Sequence, residues 1–190
     1  MDVYSHVKTV MAMILSLSMA LLLKGSVRFI QHPGRLKPYW IHLAWVFYIF
    51  LMLLHFWWWE LRLSNIKEWY FTQYLFIVLF IMQFYVLASL LYPDDLNDYP
   101  GGYESYFYSR KKWFFLLLSI TFLADFVDTL IKGWDYFRNY TIEYPVRNIS
   151  HFLLCLVAMK VDNKKFHATL VIAFIVYELS YIFRLFMKEI

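Results

Sequence analysis

The sequence has little of what disulfide frameworks and cysteine-based metal sites require. It contains one cysteine, five glycines and five prolines in 190 residues. A single thiol excludes an intrachain disulfide and any metal site built from several cysteines. Because Cys155 lies inside an apolar run, we expect it to be a buried structural thiol.

Several functional motifs are also missing. No G-x-S-x-G, H-E-x-x-H or Walker-type pattern occurs, so the sequence gives no support to serine-dependent or metal-dependent hydrolysis. The acidic loop at residues 93–102 lacks the D-x-[DN]-x-[DN]-G spacing of a calcium loop. The formal charge is +4, but the lysines and arginines mostly flank apolar runs, where they anchor helices at lipid headgroups. We therefore expect no nucleic-acid partner.

Apolar side chains, in contrast, are abundant. Of the residues, 62% are hydrophobic and 23% are aromatic, whereas soluble domains are about 45–50% apolar. This composition is typical of an integral membrane protein, whose partners include membrane lipids. Because apolar segments use nearly the whole chain, we expect no separate soluble domain.

Six apolar segments have lengths near the ~20 residues that cross a bilayer. They comprise residues 7–30, 39–61, 69–92, 111–132, 146–161 and 166–187. Residues 103–110 are rich in tyrosine and predict a short amphipathic helix in the membrane interface that leads into the fourth segment. The sequence therefore predicts an all-α, polytopic membrane protein. We expect one domain, residues 1–190, folded as a bundle of six transmembrane helices.

The distribution of lysine and arginine gives the expected orientation. With the N-terminus outside, ten of the 18 basic side chains lie on the inner side, at residues 24–37, 110–112 and 160–165, and eight lie outside. We expect both termini on the outer side and the bacterial inner (plasma) membrane as the location.

Four acidic residues lie within the apolar segments, and one of them, Glu60, is at the end of the second. The fourth segment carries Asp125 and Asp128, and the sixth carries Glu178. A carboxylate near the middle of a membrane costs at least ~2.5 kcal/mol, so each requires a partner, a hydrated cavity or a proton. At 1.5 Å per residue, Asp125 lies about 18 Å from Trp113, and Glu178 about 18 Å from Phe166. We expect both carboxylates at the floor of a polar pocket that opens to one side of the membrane.

Other polar residues fall in the same half of the bilayer. His55 lies about 24 Å along the second helix, and His151 about 8 Å into the fifth. Asn148, His151 and Cys155 form one stripe at i, i+3 and i+7. The candidates for an ion or proton pathway are therefore Asp125, Glu178, His151, His55, Asp128 and Asn148.

The acids allow two interpretations. Asp125 and Glu178 act as a titratable relay or as cation ligands, or they form interhelical pairs with Arg184, Arg147 or the histidines that fix the packing. Asp128 and Lys132 are four residues apart and predict an ion pair. We expect this pair to be exposed at the membrane interface, where such pairs contribute only about 0.3–0.5 kcal/mol.

These interpretations lead to different functions. The first is a small channel or transporter for protons or small cations, working as a homo-oligomer. The second is a non-catalytic accessory or scaffold subunit that binds other membrane protein subunits. A third is an enzyme acting on lipid, with Asp125 as base and His151 orienting it. No catalytic residue or cofactor is predicted, although a single haem between His55 and His151, or a zinc site that adds Asp125 and Glu178, is left open.

Overall fold

The structure, a computed structural model, describes residues 3–138 and 140–186. Over these residues the chain is almost entirely helical, with seven α-helices. They are α1 (Val3–Gln31), α2 (Trp40–Trp59), α3 (Phe71–Ser89), α4 (Gly102–Ile131), α5 (Trp134–Arg138), α6 (Glu143–Ala158) and α7 (Lys164–Phe186). Short 3-10 helices follow α2 at Glu60–Asn65 and precede α4 at Leu96–Asp98. The all-α class predicted from the sequence is confirmed.

Five of the described helical segments are long and apolar enough to cross a membrane. They are α1, α3, α4, the stretch Trp40–Asn65 and the stretch Lys164–Arg184 of α7. These segments are consistent with the membrane integration expected from composition. The predicted fifth span, residues 146–161, is helical within α6, but the 16 residues of α6 are fewer than the ~20 that cross a bilayer core. The count of six spans stays a prediction.

Helix α4 begins well before the fourth apolar segment. The predicted span starts at residue 111, whereas α4 starts at Gly102 and runs without a break through the basic residues 110–112. Residues 103–110 are therefore the first turns of the same helix, and their place at the membrane interface stays a prediction. Within the charged run, Lys111 is buried and donates to the backbone carbonyl of Val161 at 2.5 Å.

Consecutive long helices alternate in direction along the chain, so their ends fall into two groups. At one end of the bundle, which we call end A, α1, α3 and α6 begin and α2, α4 and α7 end. Across end A, Lys132 Nζ donates to Glu60 Oε1 at 2.7 Å, and Arg184 Nη1 donates to Glu143 Oε2 at 2.9 Å. The opposite end, end B, holds the start of α4 and the start of α7, which an ion pair joins.

The two termini of the chain, predicted on one side of the membrane, fall on residues 1–2 and 187–190, outside the described residues. The first described turns of α1 lie at end A, where Tyr4 and Lys8 line a small pocket together with Glu60. The last described turns of α7 lie at the same end. Which side of the membrane end A faces stays a prediction.

The core of the bundle is aromatic. Trp45 of α2 is fully buried and meets Phe114 and Phe115 of α4 and Phe174 of α7 edge to face, with ring centroids 5.1–5.5 Å apart. This is a preferred geometry for aromatic pairs. The helices pack mainly as the pairs α1 with α3, α4 with α6 and α2 with α7. Their outward faces carry large exposed apolar side chains, which are compatible with contact to lipid tails.

Gly25 allows α1 to pack closely against Tyr92, which lies shortly after the end of α3. A Cβ at this position would lie 2.3 Å from the ring of Tyr92. That ring is held by a 2.8 Å hydrogen bond to Ser26 and by contacts with the rings of His42 and Tyr103. We therefore expect Gly25→Ala to lower the free energy of unfolding by about 1–3 kcal/mol, the usual effect of overpacking.

A double-mutant cycle tests this contact directly. In a Tyr92→Ala background the clash is absent, so Gly25→Ala should be neutral or stabilising, because alanine favours a helix over glycine by about 1 kcal/mol. Denaturant unfolding in detergent of the wild type, both single variants and the double variant measures the coupling. Equal losses in both backgrounds would contradict the predicted overlap.

Candidate functional site

A cavity lies among α2, α3, α4, α6 and α7, in the half of the bundle nearer end A. Its volume is about 40 Å³, which is room for about three waters at ~10–15 Å³ each and far below the ~300–1,000 Å³ of small-molecule sites. Its lining is mostly aromatic and apolar, with a few polar groups: Met52, His55, Phe56, Trp59, Phe80, Phe84, Thr121, Phe122, Asp125, Arg147 and Glu178. Two of the candidate acids and one candidate histidine thus line one cavity.

Asp125 of α4 is held by two side chains of α6. Its Oδ2 accepts from Asn148 Nδ2 at 2.7 Å and from Arg147 Nη2 at 3.1 Å. The Arg147 guanidinium also donates to Asn148 Oδ1 at 2.9 Å and lies 4.5 Å from the ring centre of Tyr181. Asp125 is 19% exposed and Arg147 9%, so the carboxylate is the more accessible partner of this pair.

Glu178 of α7 contacts Nδ1 of His55 on α2. Both side chains are at most 10% exposed. The His55 ring also meets the ring of Trp59 edge to face, at 5.7 Å, which holds the imidazole in place. A carboxylate beside an imidazole can accept its N–H or exchange the proton with it. This contact is therefore a point in the cavity lining where a proton can pass between two groups.

The predicted stripe on α6 faces the interior, since Asn148, His151 and Cys155 are all buried. Of these, Asn148 bonds to Asp125, whereas the cavity lining does not include His151. His151 Nδ1 donates instead to the backbone carbonyl of Arg147 at 2.8 Å. The hypothesis that His151 orients Asp125 as the base of a lipid enzyme therefore has no geometric support.

Asp128 and Lys132 form the predicted ion pair, but the prediction that it is exposed is wrong. Lys132 contacts Asp128 and also donates to Glu60 Oε1 at 2.7 Å. All three side chains are only 1–2% exposed. The end of α2 covers the pair, and the Lys132 ammonium lies 5.5 Å from the ring centre of Trp59. Asp128 thus belongs to a second, buried cluster, to which the small contribution of an exposed pair does not apply.

The geometry gives no support to a metal site at these residues. Within residues 3–138 and 140–186, no group of three or more His, Cys, Asp or Glu side chains is arranged to hold a metal ion. The ring of His55 contacts Glu178, and that of His151 bonds to a backbone carbonyl. The shared haem or zinc site that the sequence left open is therefore not assigned.

Sequence reasoning assigned no site role to Glu60 and considered Arg147 only as one of several partners. A signal for Arg147 exists, because it lies four residues before His151, on the face that carries the polar stripe. The segment that holds Glu60 offers no such signal. Glu60 is buried where it meets α4 and accepts a hydrogen bond from Lys132, which lies 72 residues further along the chain.

A separate cleft of about 790 Å³ lies at end B, between the α1–α2 loop and the start of α4. Among the ionisable groups of its lining other than tyrosine, basic side chains outnumber acidic ones: Arg28, His32, Arg35 and Lys37 against Asp95 and Glu104. Positive charge is therefore concentrated at the end of the bundle that lies away from the cavity.

No protein-family model, curated protein or solved structure matches this chain.

Proposed function

We propose that this protein is an integral membrane protein that moves protons across the bilayer through the cavity lined by Asp125 and Glu178. The observation that carries the proposal is the meeting of two acid–base pairs, Asp125 with Arg147 and Glu178 with His55, around one small cavity. Ionisable side chains inside membranes are rare and commonly mark ion or proton pathways. Water in the cavity would connect the pairs by hydrogen bonds.

Protons suit this cavity better than metal cations do. A space for about three waters is too small for a hydrated cation, and a dehydrated divalent cation requires about six oxygen ligands. Asp125 already accepts hydrogen bonds from two side chains, and Glu178 contacts His55. A proton can be taken up or released at the His55–Glu178 contact without separating either pair.

The proposal includes six membrane crossings, with α6 as the fifth. Its 16 residues span about 24 Å at 1.5 Å per residue, and local bilayer thinning can accommodate the shortfall. α6 packs along α4 and contributes Arg147 to the cavity lining. The 30 residues of α4 span about 45 Å, more than the ~30 Å hydrocarbon core. Residues 103–110 would therefore extend into the interface at end B.

We further propose that end B faces the cytoplasm, with the chain in the bacterial inner membrane and both termini outside. The basic lining of the end B cleft supports this orientation, because Lys and Arg are enriched in cytoplasmic loops. The proposal also includes a homo-oligomer surrounded by membrane lipids. Side chains such as Leu17, Leu79 and Val176 are more than half exposed. They supply apolar surface for contact with lipids and with other copies of the chain.

A second candidate function is that of an accessory or scaffold subunit. A specific observation favours it, because each cavity acid already has a basic partner. Such pairs can fix helix packing without moving a proton. In that case the exposed apolar faces of the bundle would bind other membrane protein subunits.

Proton flux into liposomes separates the two functions. We expect the purified protein to pass protons when a potassium gradient with valinomycin sets the membrane potential and an enclosed dye reports pH. Glu178→Gln keeps the shape of the side chain but removes the titratable carboxyl. Flux should then fall on the order of 10²-fold, as when a positioned proton-transfer group is lost.

Glu104→Gln is the matched control, because it removes a partly exposed carboxylate that contacts Lys164 at end B. Its flux should equal that of the wild type, and unfolding in detergent should confirm that both variants are folded. Wild-type flux no greater than that of protein-free liposomes would overturn the proposal and favour the accessory role. Full flux in Glu178→Gln would remove this residue from the pathway.

A further inference from the structure

A second charged cluster lies beside the cavity, closer to end A. It consists of Glu60, Asp128 and Lys132, which we call the carboxyl–lysine cluster. Lys132 Nζ donates to Glu60 Oε1 at 2.7 Å and contacts Asp128 Oδ2. The three side chains are 1–2% exposed, so their charges are not screened by water as surface charges are.

The charges within this cluster do not balance. Two carboxylates and one ammonium leave one surplus negative charge, and an uncompensated buried charge costs several kcal/mol. Among the described residues, Lys132 is the cation that lies within 4 Å of Glu60 and Asp128. A second compensating charge has to come from elsewhere.

Of the described charged and titratable groups that face the cluster, none adds a buried positive charge beside the two acids. Lys8 of α1 shares a small pocket with Glu60, but its side chain is exposed. Asp125 of α4 is close enough to interact electrostatically with Asp128, but its carboxylate adds negative charge. The remaining groups are exposed Arg62 after α2 and three tyrosines: Tyr136 of α5, Tyr140, which stacks on Trp59, and Tyr144 of α6, which bonds to Thr129.

Two oxygen atoms of the cluster have no donor in the part of the chain that the structure describes. Glu60 Oε2 and Asp128 Oδ1 are buried, and no described residue donates a hydrogen bond to either of them. Both carboxyl groups contact the same atom, Lys132 Nζ, so they lie close to each other. Two ionised carboxylates repel at this distance, whereas a carboxyl that carries a proton can donate it to its neighbour. One proton on this pair would therefore cancel the surplus charge and supply the cluster with a hydrogen-bond donor.

We propose that Glu60 and Asp128 share one proton, so that the carboxyl–lysine cluster is a proton-binding site separate from the cavity. The cluster then holds one ammonium, one carboxylate and one carboxylic acid, with no net charge. Glu60, Asp128 and Lys132 are not among the residues that line the cavity. The proton-binding site therefore does not depend on proton flux through the cavity. Its occupation is therefore testable in protein that passes no protons.

The shared proton gives the fold a defined dependence on pH. The folded protein binds a proton that the unfolded chain lacks at neutral pH, and stability falls with rising pH wherever the folded state binds more protons. The contribution is complete below the pH at which the unfolded carboxyls ionise. It is lost as the pH rises far enough to remove the shared proton.

Infrared spectroscopy of the protein in detergent detects the proton directly. At neutral pH the wild type should show the carbonyl band of a buried carboxylic acid. Glu60→Gln and Asp128→Asn should each lose that band, because each removes one of the two carboxyls that share the proton. Glu104→Gln, which changes an acid at end B, should keep it. A wild type without the band, or a band that persists in both single variants, would overturn the proposal.

Thermal unfolding gives a second test that uses no spectral assignment. The wild-type melting temperature should fall toward alkaline pH, whereas in Glu60→Gln this fall should be absent, since the amide donates to Asp128 at every pH. At neutral pH the two melting temperatures should be similar. A wild type whose stability instead depends on sodium or potassium concentration would hold a metal cation in place of the proton and contradict the proposal.

Discussion

Replacing Lys132 with methionine is expected to lower the free energy of unfolding by about 3–5 kcal/mol, the usual loss when one partner of a buried ion pair is removed. The substitution keeps most of the apolar volume but removes the ammonium that contacts Asp128 and donates to Glu60 at 2.7 Å. Even with one proton shared between the two acids, one charge would remain buried without a cation. Denaturant unfolding in detergent micelles measures the loss.

The matched control is Lys164→Met, which removes a lysine from an ion pair with Glu104 at end B. Lys164 is 65% exposed, and exposed pairs contribute only about 0–1 kcal/mol. The same chemical change at the two ends of the bundle should therefore differ several-fold in effect. Comparable losses at both positions would show that burial does not set the energy of the Lys132 contacts.

A second comparison isolates the charge. In a background with Glu60→Gln and Asp128→Asn, no carboxylate remains beside Lys132, so Lys132→Met should lose much less stability than in the wild type. The coupling between the lysine and the acids is the difference between the two losses. An unchanged loss would assign the stability to the packing of the lysine side chain against Trp59.

The positions of the deep acids along their helices are predictable from the sequence, because the rise per residue fixes their depth. Asp125, Glu178 and His55 were placed in one half of the bilayer on this basis, and the structure has them lining one cavity. Their partners are not predictable in the same way. Whether Asp125 meets Arg147 or His151 depends on how α6 is rotated against α4, which no periodicity within one helix reports.

The prediction for Asp128 and Lys132 failed for a related reason. The spacing of four residues identifies a pair on one helix, but it does not tell whether another helix covers that pair. The cover here comes from the end of α2, where Glu60 follows three tryptophans. Tryptophan is frequent at membrane interfaces, and nothing in the sequence of this stretch reports that it packs over Asp128 and Lys132.

Arg147 lines the cavity and holds Asp125, and its loss should have an effect as large as that of Lys132. Arg147→Met is expected to lower the free energy of unfolding by about 3–5 kcal/mol. The guanidinium donates to Asp125 at 3.1 Å and to Asn148 at 2.9 Å, and it lies 4.5 Å from the ring centre of Tyr181. Lysine should restore only part of the loss, because it lacks the planar fork that makes several directed contacts.

The matched control is Arg138→Met. Denaturant unfolding of both variants compares their losses in the free energy of unfolding. Arg138 is exposed and lies over the ring of Trp134 at 5.3 Å, a type of contact that contributes about 0.5–1 kcal/mol at exposed sites. In an Asp125→Asn background the loss from Arg147→Met should shrink, because the carboxylate that needs the cation is gone. A loss that stays the same would mean that Arg147 acts by stacking on the aromatic rings, and that Asp125 does not depend on it for charge.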